Sequence, residues 1–188
     1  MGWIDRVPRA GNLFIGGLYA LYQPNIVKDA GVTHVLSVID FDFYELTESN
    51  NFLKSKGYNH KIIQVDDDPN VDLLCYFQEM VDFIDGGLRN GGGVFVHCAM
   101  GKSRSATAVI AYLMWKYGVG MDEGLQQLCE GRPVCFPNPG FLEQLAVWQT
   151  MLQEDSQPSR ARVYEQWLQG RFKGEAHEWE ARAAKAKL

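Results

Sequence analysis

Apolar residues follow two rhythms along this 188-residue chain. Short continuous runs at Asn12 to Ile15, Thr33 to Ile39, His60 to Val65 and Val94 to Cys98 have the length and β-branched content of buried strands. Between them, apolar residues recur at helical spacing. A short helix links the first two strands, opened by Pro24, which a first turn accepts, and closed by Gly31. Leu73, Phe77, Met80, Val81, Ile84 and Leu88 form one helical face behind Asp72, a good N-cap. Arg104 to Tyr117 is an almost wholly apolar helix stopped by Gly118, and further helices are predicted at Asp122 to Glu130 and Gly140 to Gln153. The alternation predicts an α/β fold with a mostly parallel central sheet flanked by helices on both faces. No internal repeat is found.

Gln157-Pro158 interrupts the last of these helices. The reading is therefore a domain over residues 1–155 and a basic helical tail over 156–188, where Val163, Tyr164, Trp167 and Leu168 make one apolar stripe. Charge marks the same boundary: 11 basic and 19 acidic groups before residue 156, 7 and 4 after it. The tail is expected to dock on the domain, with a protein partner or a linker role as alternatives. A net-acidic body repels polyanions, so it is not expected to bind nucleic acid. No apolar run approaches the roughly 18 residues of a membrane span, and Asp5, Arg6 and Arg9 interrupt any leader-like N-terminus. Gly2 is not read as a myristoylation site, because Arg6 stands where Ser or Thr is wanted. The closing Ala-Lys-Leu resembles a peroxisomal address, but a chain end in a Lys/Ala-rich helix accounts for it equally well. Cys75, Cys98, Cys129 and Cys135 include no C-x-x-C pair, which points to free thiols and a reducing compartment, cytoplasmic or nuclear.

Chemistry concentrates in Val94-Phe-Val-His97-Cys98-Ala99-Met100-Gly101-Lys102-Ser103-Arg104-Ser105, a strand ending in cysteine, a short loop and a helix beginning near arginine. Backbone N–H groups of Ala99, Met100, Gly101, Lys102, Ser103 and Arg104 can converge on one phosphate there. The helix start adds unpaired donors and the positive end of its dipole, and the Arg104 side chain supplies a bidentate fork. The same field favours a thiolate, making Cys98 a nucleophile aimed at phosphorus. Cysteine followed by arginine six places on is a weak signal alone; the apolar strand, His97, Gly101, Ser105 and the long helix give it context. The other three cysteines read as structural, Cys129 because Arg132 falls at the wrong spacing. His34 and His60 lack partners at metal-ligand spacing, so no metal or other cofactor is expected.

These residues resemble the H-C-x5-R-S signature of the cysteine-dependent phosphatases. Asn12-Leu-Phe-Ile-Gly16-Gly17, Gly31-Val-Thr-His-Val-Leu, Pro137-Asn138, Phe141 and Gln144-Leu145 extend the resemblance to the dual-specificity phosphatases, over about residues 3 to 153. It implies hydrolysis of phosphotyrosine and phosphoserine or phosphothreonine in proteins, in a shallow cleft, through a phosphocysteine. It also implies that His97 and Asn138 shape and anchor the loop, while Ser105 can hydrogen-bond the sulfur when it leaves. The subgroup most resembled carries a C-terminal zinc-binding domain and is linked to late large-ribosomal-subunit assembly. No cysteine follows Cys135, so that domain is expected to be missing here.

Such chemistry needs an acid for the departing oxygen, and Asp66, Asp67 and Asp68 compete for that role. The family places its acid five residues before the helix-opening Asp or Asn; counted back from Asp72, that is Asp67. Two rivals stand beside this reading. A phosphoinositide or other non-protein phosphatase would use the extra charge of Lys102, although the acidic body opposes a highly anionic substrate. A phosphate-binding scaffold would keep the loop without turnover.

Overall fold

The computed structural model describes residues 2–41, 53 and 56–185. Five strands, β1 (Ile4–Arg6), β2 (Leu13–Gly17), β3 (Val32–Ile39), β4 (Asn59–Gln64) and β5 (Gly93–Cys98), form one sheet in the order β1-β2-β5-β3-β4. β1 is antiparallel to β2; the other neighbours are parallel. The expected mostly parallel sheet is present, with one antiparallel edge strand added by Ile4 to Arg6.

Both faces of the sheet are covered, which is why its central strands are apolar on both sides. Leu36, Val38, Val94 and Val96 pack in the larger core beneath α2 (Phe77–Arg89), α3 (Arg104–Tyr117), α4 (Met121–Gly131) and α5 (Pro139–Gln153). Val35, Ile39 and Phe95 face the smaller core of Ala20, Leu21 and Val27, under the 3-10 turn Leu18–Tyr22 and α1 (Pro24–Asp29). Residues Arg104 to Met114 of α3 are all buried, so this helix is the hub between sheet and outer helices. Asp72 differs in part from its expected role: its Oδ1 accepts from Cys75 N at 3.2 Å and caps a 3-10 turn, Leu74–Tyr76, that precedes α2.

The tail is two helices rather than one continuous stripe. α6 (Gln157–Gly170) starts behind Ser156, whose Oγ accepts from Ser159 N, with Pro158 in its first turn. After a non-helical stretch from Arg171, α7 (Ala176–Lys185) brings Trp179 down onto the body, where it is 3% exposed. Tyr164 and Trp167 of the expected stripe pack against the larger core, but Leu168 is 42% exposed. The main apolar anchor thus lies beyond the stripe, where the chain has turned back. The closing Ala-Lys-Leu lies outside the described residues. Among the described residues no helix is long and apolar enough to cross a membrane.

Candidate active site

The carboxyl ends of β2, β5, β3 and β4 lie along one sheet edge, the side on which open parallel sheets place their sites. Cys98 is the last residue of β5 and is 2% exposed. The loop after it turns through Gly101, whose φ of +68° brings it so close to β2 that a Cβ would lie 2.4 Å from the Gly16 carbonyl. A side chain at 101 would separate loop from sheet.

Every carbonyl from Cys98 to Ser103 is held by a donor. His97 Nδ1 meets Cys98 O at 3.3 Å, Leu18 N donates to Ala99 O at 3.1 Å, and Arg132 Nη2 donates to Met100 O at 3.0 Å. Arg132 Nε donates to Gly101 O at 2.8 Å, Phe136 N to Lys102 O at 2.8 Å, and Thr107 N to Ser103 O at 2.9 Å. In a planar trans peptide the N–H points opposite to the preceding C=O. Carbonyls tied to the surrounding frame therefore turn the amides of residues 99 to 104 toward the concave side of the loop, where they form an anion-binding nest. Gly101 N donates to Cys98 Sγ at 3.2 Å, and Ser105 Oγ lies 3.3 Å from the same sulfur. No side chain caps the N-terminus of α3; Ser103 Oγ is directed elsewhere, so the helix start also faces the nest.

Arg104 is 4% exposed. Its Nη1 donates to Asp40 Oδ1 at 2.8 Å and to Val65 O at 2.9 Å, and this hydrogen bond holds the Asp40 carboxyl below the ordinary aspartate range. Its Nε is buried and has no hydrogen-bond partner among the described residues. A buried orphan donor costs roughly 1–3 kcal/mol, and a phosphate oxygen in the nest would satisfy it.

The three adjacent aspartates have different surroundings. Asp67 Oδ1 accepts from Ser103 Oγ at 2.6 Å and from Asn138 Nδ2 at 2.9 Å, leaving Oδ2 on the Arg104 side, 3.8 Å from Nε. Asp68 Oδ1 accepts from Asn70 N at 2.7 Å, a local turn bond. Asp66 is exposed. Asn138 also caps α5 by accepting from Phe141 N at 2.9 Å, and its own N donates to Ser103 Oγ, so one residue joins acid loop, anion loop and helix. The acid loop packs so tightly on α5 that a Cβ on Gly140 would stand 2.0 Å from Pro69 O.

His97 is fully buried, and burial lowers its pKa to about 3, with the positive charge of Arg104 acting the same way. It is a neutral imidazole. Since the Cys98 carbonyl only accepts, Nδ1 carries the proton, and Nε2 accepts from Ser37 Oγ at 2.6 Å. Ser37 Oγ in turn lies 2.8 Å from His60 Nε2. His34 lies 2.8 Å from Thr33 Oγ1, so His34, His60 and His97 each sit in a hydrogen-bonding role. Burial pushes the Cys75 thiol up to about 11 and Cys135 to about 12, and raises Cys129 as well; all four cysteines are free.

The structure brings Cys98, the loop 99–104, Asp67, His97, Ser105 and Asn138 together. Sequence reasoning missed Asp40, Arg132 and the role of Gln144. Gln144 Oε1 accepts from Leu73 N and Leu74 N at 2.8 Å while its Nε2 donates to Val71 O, fixing the far end of the acid loop. Arg132 is buried and also pairs with Asp5 at 2.5 Å. An acidic residue at the carboxyl end of a parallel strand was a readable signal for Asp40; nothing local marked Arg132.

Known proteins share this fold and much of this sequence. Residues 13–151 match the family model "Dual specificity phosphatase, catalytic domain". Dual specificity protein phosphatase 1 of Arabidopsis thaliana is 39% identical over 155 residues, covering 81% of this chain and 74% of that protein. Tyrosine-protein phosphatase YVH1 of Saccharomyces cerevisiae is 33% identical over 160 residues, 75% of this chain but 42% of that longer protein. The Yvh1 phosphatase domain from Chaetomium thermophilum superposes with a TM-score of 0.71 at 36% identity, covering 81% of this chain and 99% of that one. Human DUSP28 gives 0.71 at 30% identity, over 82% and 97%. With the nest, the thiol and the match over most of its length, the chain belongs to the dual-specificity protein phosphatases, enzymes that remove phosphate from proteins through a phosphocysteine.

Proposed function

We propose that Cys98 is the nucleophile, Arg104 and the amides of residues 99–104 are the phosphate clamp, and Asp67 is the general acid. The observation that carries this is the carbonyl pattern of residues 98–103. Six consecutive carbonyls have donors, which turns the six amides inward; with Gly101 N on the sulfur, the other five and the Arg104 Nε remain for one anion seated above Cys98 Sγ. Attack by the thiolate forms the S–P bond as the P–O bond to the substrate breaks. Asp67 Oδ2 gives its proton to the departing oxygen, then as a carboxylate takes one from the water that hydrolyses the phosphocysteine. In that second step sulfur leaves, and Ser105 Oγ and Gly101 N stabilise its charge. His97 is a positioning residue, buried and neutral.

Phosphorylated proteins are the substrate class, and we assign both phosphotyrosine and phosphoserine or phosphothreonine to it. Lys102, the residue that the phosphoinositide alternative would use, is exposed. Four free thiols, one of them the nucleophile, suit a reducing compartment, cytoplasm or nucleus. Cys98→Ser should abolish turnover of phosphopeptides yet keep phosphate or sulfate binding, because amides and Arg104 make the anion site. Residual turnover within tenfold of the parent would remove Cys98 from the mechanism. Intact anion binding with no turnover in the parent chain itself would favour the scaffold reading.

A further inference from the structure

The acid loop has contacts that the residues matched to the phosphatase domain do not supply. Asn70 stands three residues after Asp67. Its Nδ2 donates to Gly174 O at 3.0 Å, and its Oδ1 accepts from Gly174 N at 2.9 Å and from Trp179 Nε1 at 3.1 Å. Two residues later, Asp72 Oδ2 accepts from Tyr164 Oη at 2.7 Å. Gly174, Trp179 and Tyr164 all lie beyond residue 151, where the domain match ends. Trp179 is buried with Phe172 edge-on at 4.8 Å between centroids, and Arg182 pairs with Glu143 on α5, so the segment is fixed at both ends of this contact.

A tail that only covered apolar surface would need the Trp179 ring and nothing more. Here the Asn70 carboxamide both gives to and takes from the backbone of a single residue, the pattern by which one strand holds another. Asn70 is in turn tied to Asp68, the residue that follows Asp67, because Asn70 N donates to Asp68 Oδ1 at 2.7 Å and Val71 N to Asp68 O at 3.0 Å, closing a tight turn. Movement of Asn70 is therefore passed to the peptide that carries the acid. A misplacement of about 1 Å at a reacting group is enough to lower a rate strongly.

We propose that the C-terminal segment latches the acid loop, with Asn70, Trp179 and Tyr164 as positioning residues that hold Asp67 over the anion nest. The inference rests on Asp67 being the acid. It bears on the two proton transfers assigned to Asp67, to the departing oxygen and from the hydrolytic water; anion binding uses none of these contacts.

The test uses the full chain and two substrates, a phosphoserine peptide with a poor leaving group and p-nitrophenyl phosphate with a good one. Trp179→Phe combined with Tyr164→Phe removes one N–H and one O–H while keeping an aromatic ring at each position, and Asn70→Ala removes the carboxamide from the other side. In both variants kcat/KM, which reports the steps up to release of the leaving group, should fall roughly five- to tenfold on the phosphoserine peptide and less than twofold on p-nitrophenyl phosphate. Asp67→Asn is measured in parallel. Equal losses on the two substrates, or none, while Asp67→Asn keeps its leaving-group dependence, overturn the latch alone. Absence of that dependence in Asp67→Asn overturns the acid assignment, and the latch with it.

Discussion

Asp67 differs from its two neighbours in what its oxygens touch. Oδ1 is committed to Ser103 and Asn138, which leaves Oδ2 for a proton, whereas the Asp68 carboxylate is spent on a turn. Asp67→Asn should lower kcat/KM on a phosphoserine peptide by roughly 10² and that on an activated aryl phosphate much less, since the latter leaving group needs little protonation. The same leaving-group signature in Asp66→Asn or Asp68→Asn, and not in Asp67→Asn, would shift the acid by one position. Arg104→Lys should cost roughly a hundredfold or more in kcat/KM on either substrate, because a point charge cannot reproduce the fork and leaves Asp40 and Val65 O without their partner. His97 titrates in the unfolded chain near its ordinary pKa of 6.5 but in the folded chain near 3, so the unfolded state binds the extra proton between those values. Stability is then full above about pH 6.5 and falls on acidification by about 1.4 kcal/mol per pH unit from this residue. Urea unfolding at pH 7.5, 5.5 and 4.5 should show that slope between the last two values, and His97→Asn should flatten it. At this scale the sequence revealed residues whose chemistry is local to the cysteine loop. Asp67 was singled out only through family register, and from the residues alone the three aspartates were equivalent.

Strand, loop and helix from Val94 to Tyr117 were readable because each carries a local signal: a buried apolar run, Gly101 at the turn, and an apolar helix stopped by Gly118. What holds the loop in its active shape was not readable. Arg132 reaches Met100 O and Gly101 O from the end of α4, and its spacing from Cys129 had marked it only as a mismatch. Such a contact depends on where two distant elements meet, which periodicity does not encode. Arg132→Met should leave Met100 O without its donor, Gly101 O with only the distant Cys135 thiol and the Asp5 carboxylate without its counter-charge, and destabilise the fold by about 3 kcal/mol. It should also weaken phosphate binding, since the Met100 and Gly101 carbonyls would be free to rotate the next two amides out of the nest. A variant with parent-like urea midpoint and parent-like phosphate affinity would show that the loop holds its shape without Arg132.

The whole chain joins an α/β phosphatase body to a basic segment that returns over the acid loop. The alternation of apolar runs and helices made the body legible, and the charge change near residue 156 made the segment visible. Its path was not legible, because the break after Gly170 and the landing site of Trp179 are set by tertiary contacts with Asn70 and Glu143. Deleting residues 157–188 should lower stability by about 3 kcal/mol through loss of the buried Trp179 and the packed Tyr164 and Trp167, read as a drop in the urea midpoint. An unchanged midpoint would make the segment a loose appendage. The central claim, that the molecule works through phosphate carried on Cys98, is tested most directly by a denaturant quench during turnover of a labelled phosphopeptide, followed by mapping of the label. The account predicts phosphate on Cys98 alone, in the peptide spanning Gly93 to Lys102, and none in Cys98→Ser. Turnover with no labelled protein at any time point, or label on Cys75, Cys129 or Cys135, would contradict it.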